Sequence, residues 1–249
     1  MQVVILAGGL GSRLGSITKS IPKPMVKIKN KPIIYHIMEH YSKFNYKNFI
    51  IATGYKKKII ENFFCKKGVV ITKQKNFKKI YIKKKKWIIK LIYTGDKSMT
   101  GGRILKIKKY INDKNFLLTY GDGISSVNID KLVKFHFKHK PLVTVTAVRP
   151  PARFGELKVK NFKVKKFKEK IQINNSWING GYFVMNYKFF NYLKSSKTIL
   201  EQQPLEKISK QNKLNAYKHY GFWHCMDTVR DKNNLEKIFL ENKNKWPIV

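Results

Sequence analysis

The chain has 249 residues, 43% of them hydrophobic, which suits one α/β domain with a sizeable core and excludes a disordered chain. No apolar run approaches the ~20 residues of a membrane span, and Gly8-Gly9 cut short an opening stretch that has no basic residues before it, so no signal peptide is expected. Fifty-three Lys and Arg against 14 Asp and Glu give a net charge of +39, but the lysines are scattered, which speaks for a diffuse field that attracts anions and against a dedicated nucleic-acid reader.

The bases that read nucleic acid best are few: Arg13, Arg103, Arg149, Arg153 and Arg230. Cys65 and Cys225 have neither disulfide-framework nor zinc spacing, so a reducing cytoplasm is the expected setting. No membrane partner is expected, and no specific nucleic acid.

In chain order, residues 3–7 (VVILA) read as a buried strand. Residues 31–44 place Ile33, Ile34, Ile37, Met38 and Tyr41 on one face, with Pro32 at the first turn, and predict a helix. Residues 49–53 are a strand, 56–65 a helix faced by Ile59, Ile60, Phe63 and Phe64, and 69–72 a short strand. The lysine run 83–86 lies between two strand-like stretches and predicts an exposed hairpin. Residues 101–111 read as a helix, 116–120 as a strand ending in Gly121-Asp122-Gly123, 128–139 as a helix and 142–148 as a strand. Such alternation predicts an α/β fold, a Rossmann-like, doubly wound, mostly parallel sheet.

From about residue 151 the pattern turns strand-rich, through GELKVK, FKVKKFKEK and WINGGYFVM. We therefore expect a single domain, 1–249, with an alternating part (1–150) and a smaller strand-rich and C-terminal part (151–249). Thr198 and Glu201 offer a capping box before a short helix. Thr228 caps a final helix over 228–243, faced by Leu235, Ile238 and Phe239.

The first strand runs into four glycines, Gly8, Gly9, Gly11 and Gly15. A dinucleotide loop counted from Gly9 would need a third glycine where Leu14 stands, and no acidic ribose partner follows. A Walker loop fails as well. What remains is a glycine-rich loop whose amides can collect around an anion, carrying Arg13 as a phosphate fork. Lys23 follows, bracketed by Pro22 and Pro24, which hold it out of a helix.

These stretches, LAGGLGSRL followed by KPM, are similar to the signature of the sugar-1-phosphate nucleotidyltransferases. SMTGGR (98–103), TYGDG (119–123), RPPARFG (149–155), FKEK (167–170), WINGGYFV (177–184) and GFWHCMDTVRD (221–231) resemble the glucose-1-phosphate cytidylyltransferases within that family. Ile171 and Cys225 stand where the family usually has proline.

The resemblance implies cytidylyl transfer from CTP to glucose 1-phosphate, giving CDP-glucose and pyrophosphate for deoxysugars of surface polysaccharide, by a homo-oligomeric enzyme. It implies catalytic roles for Arg13, Lys23 and Asp122, and Mg2+ held by Asp122 and Asp227. Leu6, Ala7, Gly8, Gly9, Leu10, Gly11, Ser12 and Arg13 of the loop would meet the nucleotide, together with Lys23, Ser98, Thr100, Arg103 and Gly121. Glu169, Lys170, Asn179 and Gly180 would meet the sugar phosphate. The RPPARFG loop would stand near the site, from a neighbouring subunit. By spacing alone, Asp122 and Asp227 read first as turn and cap residues, an order the resemblance reverses, and Ser98 or Thr100 reads as a helix cap. Uridylyl or thymidylyl transfer is the near alternative. A non-catalytic nucleotide or nucleic-acid binder is the further one. The six histidines form no metal-ligand pattern.

Overall fold

The strand that delivers the glycine loop, β1 (Val3–Ala7), alternates its side chains between two hydrophobic clusters. Val3, Ile5 and Ala7 enter one, and Val4 and Leu6 the other. Each such Val, Ile or Leu contributes about 1.5–3 kcal/mol of burial before entropy is charged against it, so the loop springs from a firmly anchored base. The computed structural model describes residues 1–149, 156–168, 176–243 and 246.

After β1 come the short helix α1 (Ser16–Ser20) and a small ribbon, β2 (Lys27–Ile28) with β3 (Lys31–Pro32). Then follow α2 (Ile33–Lys43), β4 (Asn48–Thr53), α3 (Lys57–Cys65), β5 (Val69–Gln74), β6 (Phe77–Ile82), β7 (Trp87–Tyr93), α4 (Thr100–Ile107) and β8 (Asn115–Tyr120). The second half holds β9 (Gly123–Ser125), α5 (Ile129–His139), β10 (Val143–Val148), the hairpin β11 (Glu156–Lys160) and β12 (Lys163–Lys168), and β13 (Ile178–Asn186). The chain continues through α6 (Gln203–Lys210), β14 (Leu214–His219), β15 (Trp223–Cys225) and α7 (Val229–Glu241).

Nine strands form one sheet in the order β14-β10-β13-β8-β1-β4-β7-β6-β5. Only β13 and β6 run against the other strands, so the sheet is mostly parallel, as the strand–helix alternation predicts. Apolar faces of α2, α3, α5 and α7 cover one side, and those of α4 and α6 the other, which makes it doubly wound. β13 is wedged between β10 and β8, so a strand from the second half completes the sheet of the first.

Several local expectations are corrected. The helix over 101–111 ends at Ile107 and tightens into a 3-10 turn over 108–110. Pro32 is the residue before α2 rather than inside its first turn. Residues 214–219, lacking a clean alternation, nevertheless form β14, because β10 offers a free parallel edge. The capping box of Thr198 and Glu201 does not form. Gln202 precedes α6 without a side-chain cap, while the Glu201 carboxylate is drawn away by the hydroxyls of Thr100 and Tyr120. The lysine run does make the turn between β6 and β7, and Lys85 shares Glu39 with Lys31.

Candidate active site

The loop leaves β1 at the carboxyl end of a parallel sheet, where open α/β sheets bind ligands. Leu6 and Ala7 put their side chains into the core and offer main chain only. Gly11 sits at φ 68°, and a Cβ there would lie 2.9 Å from Lys23 Cβ, so glycine lets the loop close over the lysine. A 3-10 turn over Ser12–Leu14 follows, tied by the Leu14 amide donating to the Gly11 carbonyl. Leu14, the side chain that breaks the dinucleotide pattern, is buried in the core and pins the turn. Gly9, Leu10, Ser12 and Arg13 are left exposed around the mouth.

Lys23 is not kept out of helical structure as expected but starts a single 3-10 turn, Lys23–Met25, because the extended backbone of Pro22 leads into it and Pro24 is tolerated in a first turn. Its ammonium donates to Asp122 Oδ2 at 2.6 Å and to Asp227 Oδ1 at 2.6 Å. Arg13 reaches the other oxygen of Asp227 at 3.0 Å. All four residues singled out for the chemistry therefore converge on one point.

The two aspartates, far apart in sequence, are joined by a ribbon. β9 pairs antiparallel with β15 so that Gly123 faces Cys225, and the Met226 amide donates to the Asp122 carbonyl. Asp227 is then fixed from behind. Asp231, in the first turn of α7, accepts from the amides of Asp227 and Thr228 and completes a capping box with Thr228. The Thr228 cap was legible in sequence; the reach of Asp231 back to Asp227 was not, since nothing local marks it.

Burial works against charge at this point, and pairing wins. Burial pulls the Lys23 ammonium down, but Asp122 and Asp227 outweigh it and hold its pKa above the ordinary lysine value. Burial pushes Asp227 up, but Lys23 and Arg13 outweigh it and hold that carboxyl below its ordinary value. Cys225 is pushed up to about 12 by burial and the nearby aspartates, so it remains a thiol beside Asp227.

The remaining expected residues divide. The Gly121 amide donates to the Leu6 carbonyl and locks the Asp122 turn onto β1. Arg103 is buried, with its guanidinium NH groups donating to the Gly8, Thr53, Gly95 and Asp96 carbonyls and to Thr94 Oγ1. It braces the wall behind the loop instead of extending a fork into it. Ser98 donates to the Thr94 carbonyl and accepts from Lys106, and Thr100 donates to Glu201. Ser98 is buried and the half-buried Thr100 is committed to Glu201, and Met99 rather than either hydroxyl precedes α4. Asn179, at the start of β13, accepts from the Gly181 amide and donates to the Tyr120 hydroxyl. The Gly180 carbonyl accepts from the Trp223 indole. Glu169 and Lys170 lie outside the described residues, as does RPPARFG beyond Arg149. Among the described residues no cluster of three or more His, Cys, Asp or Glu side chains stands ready for a metal ion, and no helix is long and apolar enough to cross a membrane.

A glycine-rich anion cradle at the carboxyl edge of a Rossmann-like sheet, with two carboxylates and two cations at its mouth, defines a protein that handles nucleotide phosphates. Comparison makes the class specific: the chain belongs to the nucleotidyl transferase family, whose model matches residues 2–225. It is 41% identical to a glucose-1-phosphate cytidylyltransferase of Salmonella typhimurium, over 99% of this chain and 98% of that one. It is 36% identical to a probable glucose-1-phosphate cytidylyltransferase of Bacillus subtilis, over the full length of both. Among solved structures, HddC from Yersinia pseudotuberculosis superposes with a TM-score of 0.71 at 26% identity, covering 96% of this chain and 99% of that one.

Proposed function

We propose that this enzyme transfers a cytidylyl group from CTP to glucose 1-phosphate, giving CDP-glucose and pyrophosphate. What carries the reading is full-length similarity to cytidylyltransferases in a chain whose Arg13, Lys23, Asp122 and Asp227 meet at one point.

The attacking group is a phosphate oxygen of the sugar phosphate. It is already ionised near neutral pH, so no side chain is required to remove a proton. The oxygen approaches the α-phosphorus of the nucleotide and pyrophosphate leaves in line, so the protein's work is positioning and neutralising charge. Loop amides around Gly9–Ser12 cradle the triphosphate, Arg13 meets its pyrophosphate end, and Lys23 neutralises charge on the other side. Glu169, Lys170, Asn179 and Gly180 receive the sugar phosphate, while Ser98, Thr100 and Arg103 shape the wall on the nucleotide side.

The donor set suits a divalent cation. Asp122 and Asp227 already embrace one positive charge, the Lys23 ammonium, at 2.6 Å from each, and magnesium is commonly held by one or two carboxylates with substrate phosphates and water completing the shell. Bound there by Asp122 and Asp227, Mg2+ would neutralise and orient the phosphate oxygens.

The reading extends to a cytoplasmic homo-oligomer feeding deoxysugar synthesis for surface polysaccharide. The assay is pyrophosphate release from glucose 1-phosphate, magnesium and CTP, UTP, dTTP or ATP supplied singly. CTP is expected to lead, and Asp122→Asn to abolish release. No release with any nucleotide overturns the enzyme reading; release led by dTTP overturns the cytidine assignment alone.

A further inference from the structure

We propose that Glu201 is a positioning residue for the sugar-phosphate half of the site, acting through Tyr120 on Asn179. The inference rests on the reading of Asn179 as a sugar contact.

The three side chains form a continuous hydrogen-bonded line. Asn179 Nδ2 donates to the Tyr120 hydroxyl at 3.2 Å, and that hydroxyl donates to Glu201 Oε1 at 2.5 Å. Glu201 Oε2 accepts from Thr100 Oγ1 at 2.7 Å. Chemistry fixes the direction of each link. A carboxylate only accepts, so the phenol must give it its single proton and receive Asn179 on a lone pair. Asn179 Oδ1 in turn accepts from the Gly181 amide at 2.8 Å. Flipping the amide would set its NH2 against the Gly181 N–H and its oxygen against a hydroxyl whose proton is committed elsewhere. One Nδ2 hydrogen of Asn179 is left over, aimed in a single direction.

The line is held at its far end. The Met99 amide donates to the Ser196 carbonyl, the Gly102 amide to the Thr198 carbonyl, and the Leu200 amide to Thr100 Oγ1. The segment that carries Glu201 is therefore sewn to the start of α4. Tyr120 itself ends β8, two residues before Asp122. Through these contacts the orientation of a β13 side chain is set by an acid that lies just before α6.

The test compares Glu201→Ala, Glu201→Gln, Tyr120→Phe and the Glu201→Ala/Tyr120→Phe double variant, using whichever nucleotide the wild type turns over. Losing the line is expected to raise KM for glucose 1-phosphate about tenfold in Glu201→Ala and Tyr120→Phe, with KM for the nucleotide within about twofold. The double variant is expected to be no worse than either single one, since one line is broken once. Glu201→Gln is expected to restore the KM, because its Oε1 still accepts from Tyr120 while Nε2 turns to Thr100 Oγ1, which has a lone pair to spare. Melting curves for each variant separate folding from positioning. An unchanged KM for glucose 1-phosphate in Glu201→Ala overturns the proposal, as do equal rises for both substrates or additive effects in the double variant. A wild type that turns over no sugar phosphate with any nucleotide overturns the sugar-site reading instead, and this proposal with it.

Discussion

The ammonium of Lys23 lies 2.6 Å from Asp122 Oδ2, on a side chain only 11% exposed. It also touches Asp227, so one lysine neutralises two acids that flank the β9–β15 ribbon, one just before β9 and one just after β15. The site is thus poised around a positive charge before any substrate arrives.

Removing that charge should be felt first as instability. Lys23→Met leaves two partly buried carboxylates facing each other, which is expected to cost about 1–3 kcal/mol after discounting for solvent access. Millimolar magnesium should recover much of the loss, because a divalent cation can replace the ammonium between the same two acids. Thermal melts with and without magnesium check this. A deficit that magnesium leaves untouched would count against a shared cation position. Pyrophosphate release should fall by at least about 10²-fold.

Arg13 makes the opposite case. Its side chain is 73% exposed, and an ion pair so open to water contributes within about 0.5 kcal/mol. Arg13→Ala should therefore melt like the wild type while losing about 10²-fold in turnover. Paired melting and pyrophosphate assays test the split.

Gly102 tests the seam that carries Glu201. A Cβ there would stand 2.2 Å from the Ser196 carbonyl oxygen, a backbone atom that cannot step aside cheaply. Gly102→Ala is expected to cost about 1–3 kcal/mol by overpacking, read as a lower urea midpoint.

Stability should decline in mild acid because of histidines buried neutral. Burial pulls His40 down to about 4, with Lys43 and His219 adding to it, although its bond with the Val127 carbonyl pulls the other way. Burial also pulls His136, bonded to Thr144 Oγ1, down to about 4. Between that value and the unfolded value of about 6.5 the unfolded chain holds more protons, so stability rises with pH in this window and is lost as pH falls through it. Each histidine adds about 1.4 kcal/mol for every pH unit inside the window. Urea midpoints from pH 7 to 4.5 measure the slope, and His136→Asn should flatten it.

The legible parts of the protein were the local ones. Continuous apolar runs marked β1, β4 and β8, and helical spacing marked α2, α3 and α5, because each buries a face that shows in the order of its own residues. β14 did not show, since LNAYKH is only half-buried and owes its shape to the neighbouring edge of β10. Glu201 looked like a cap because Thr198 stood three residues before it. It became a partner of Tyr120 because a carboxylate takes the strongest donors within reach, and those came from β8 and the start of α4.

The sequence by itself determined that a buried strand delivers a glycine loop with Arg13, that prolines bracket Lys23, and that the fold alternates strand and helix. These follow from residue type and spacing along a few turns of chain. Only the tertiary structure decided that Asp122 and Asp227 share one lysine, that Arg103 braces a wall from behind, and that Asn179 is oriented from Glu201. Those outcomes depend on long-range strand register and on competition among hydrogen-bond donors, and neither leaves a periodic trace in the order of residues.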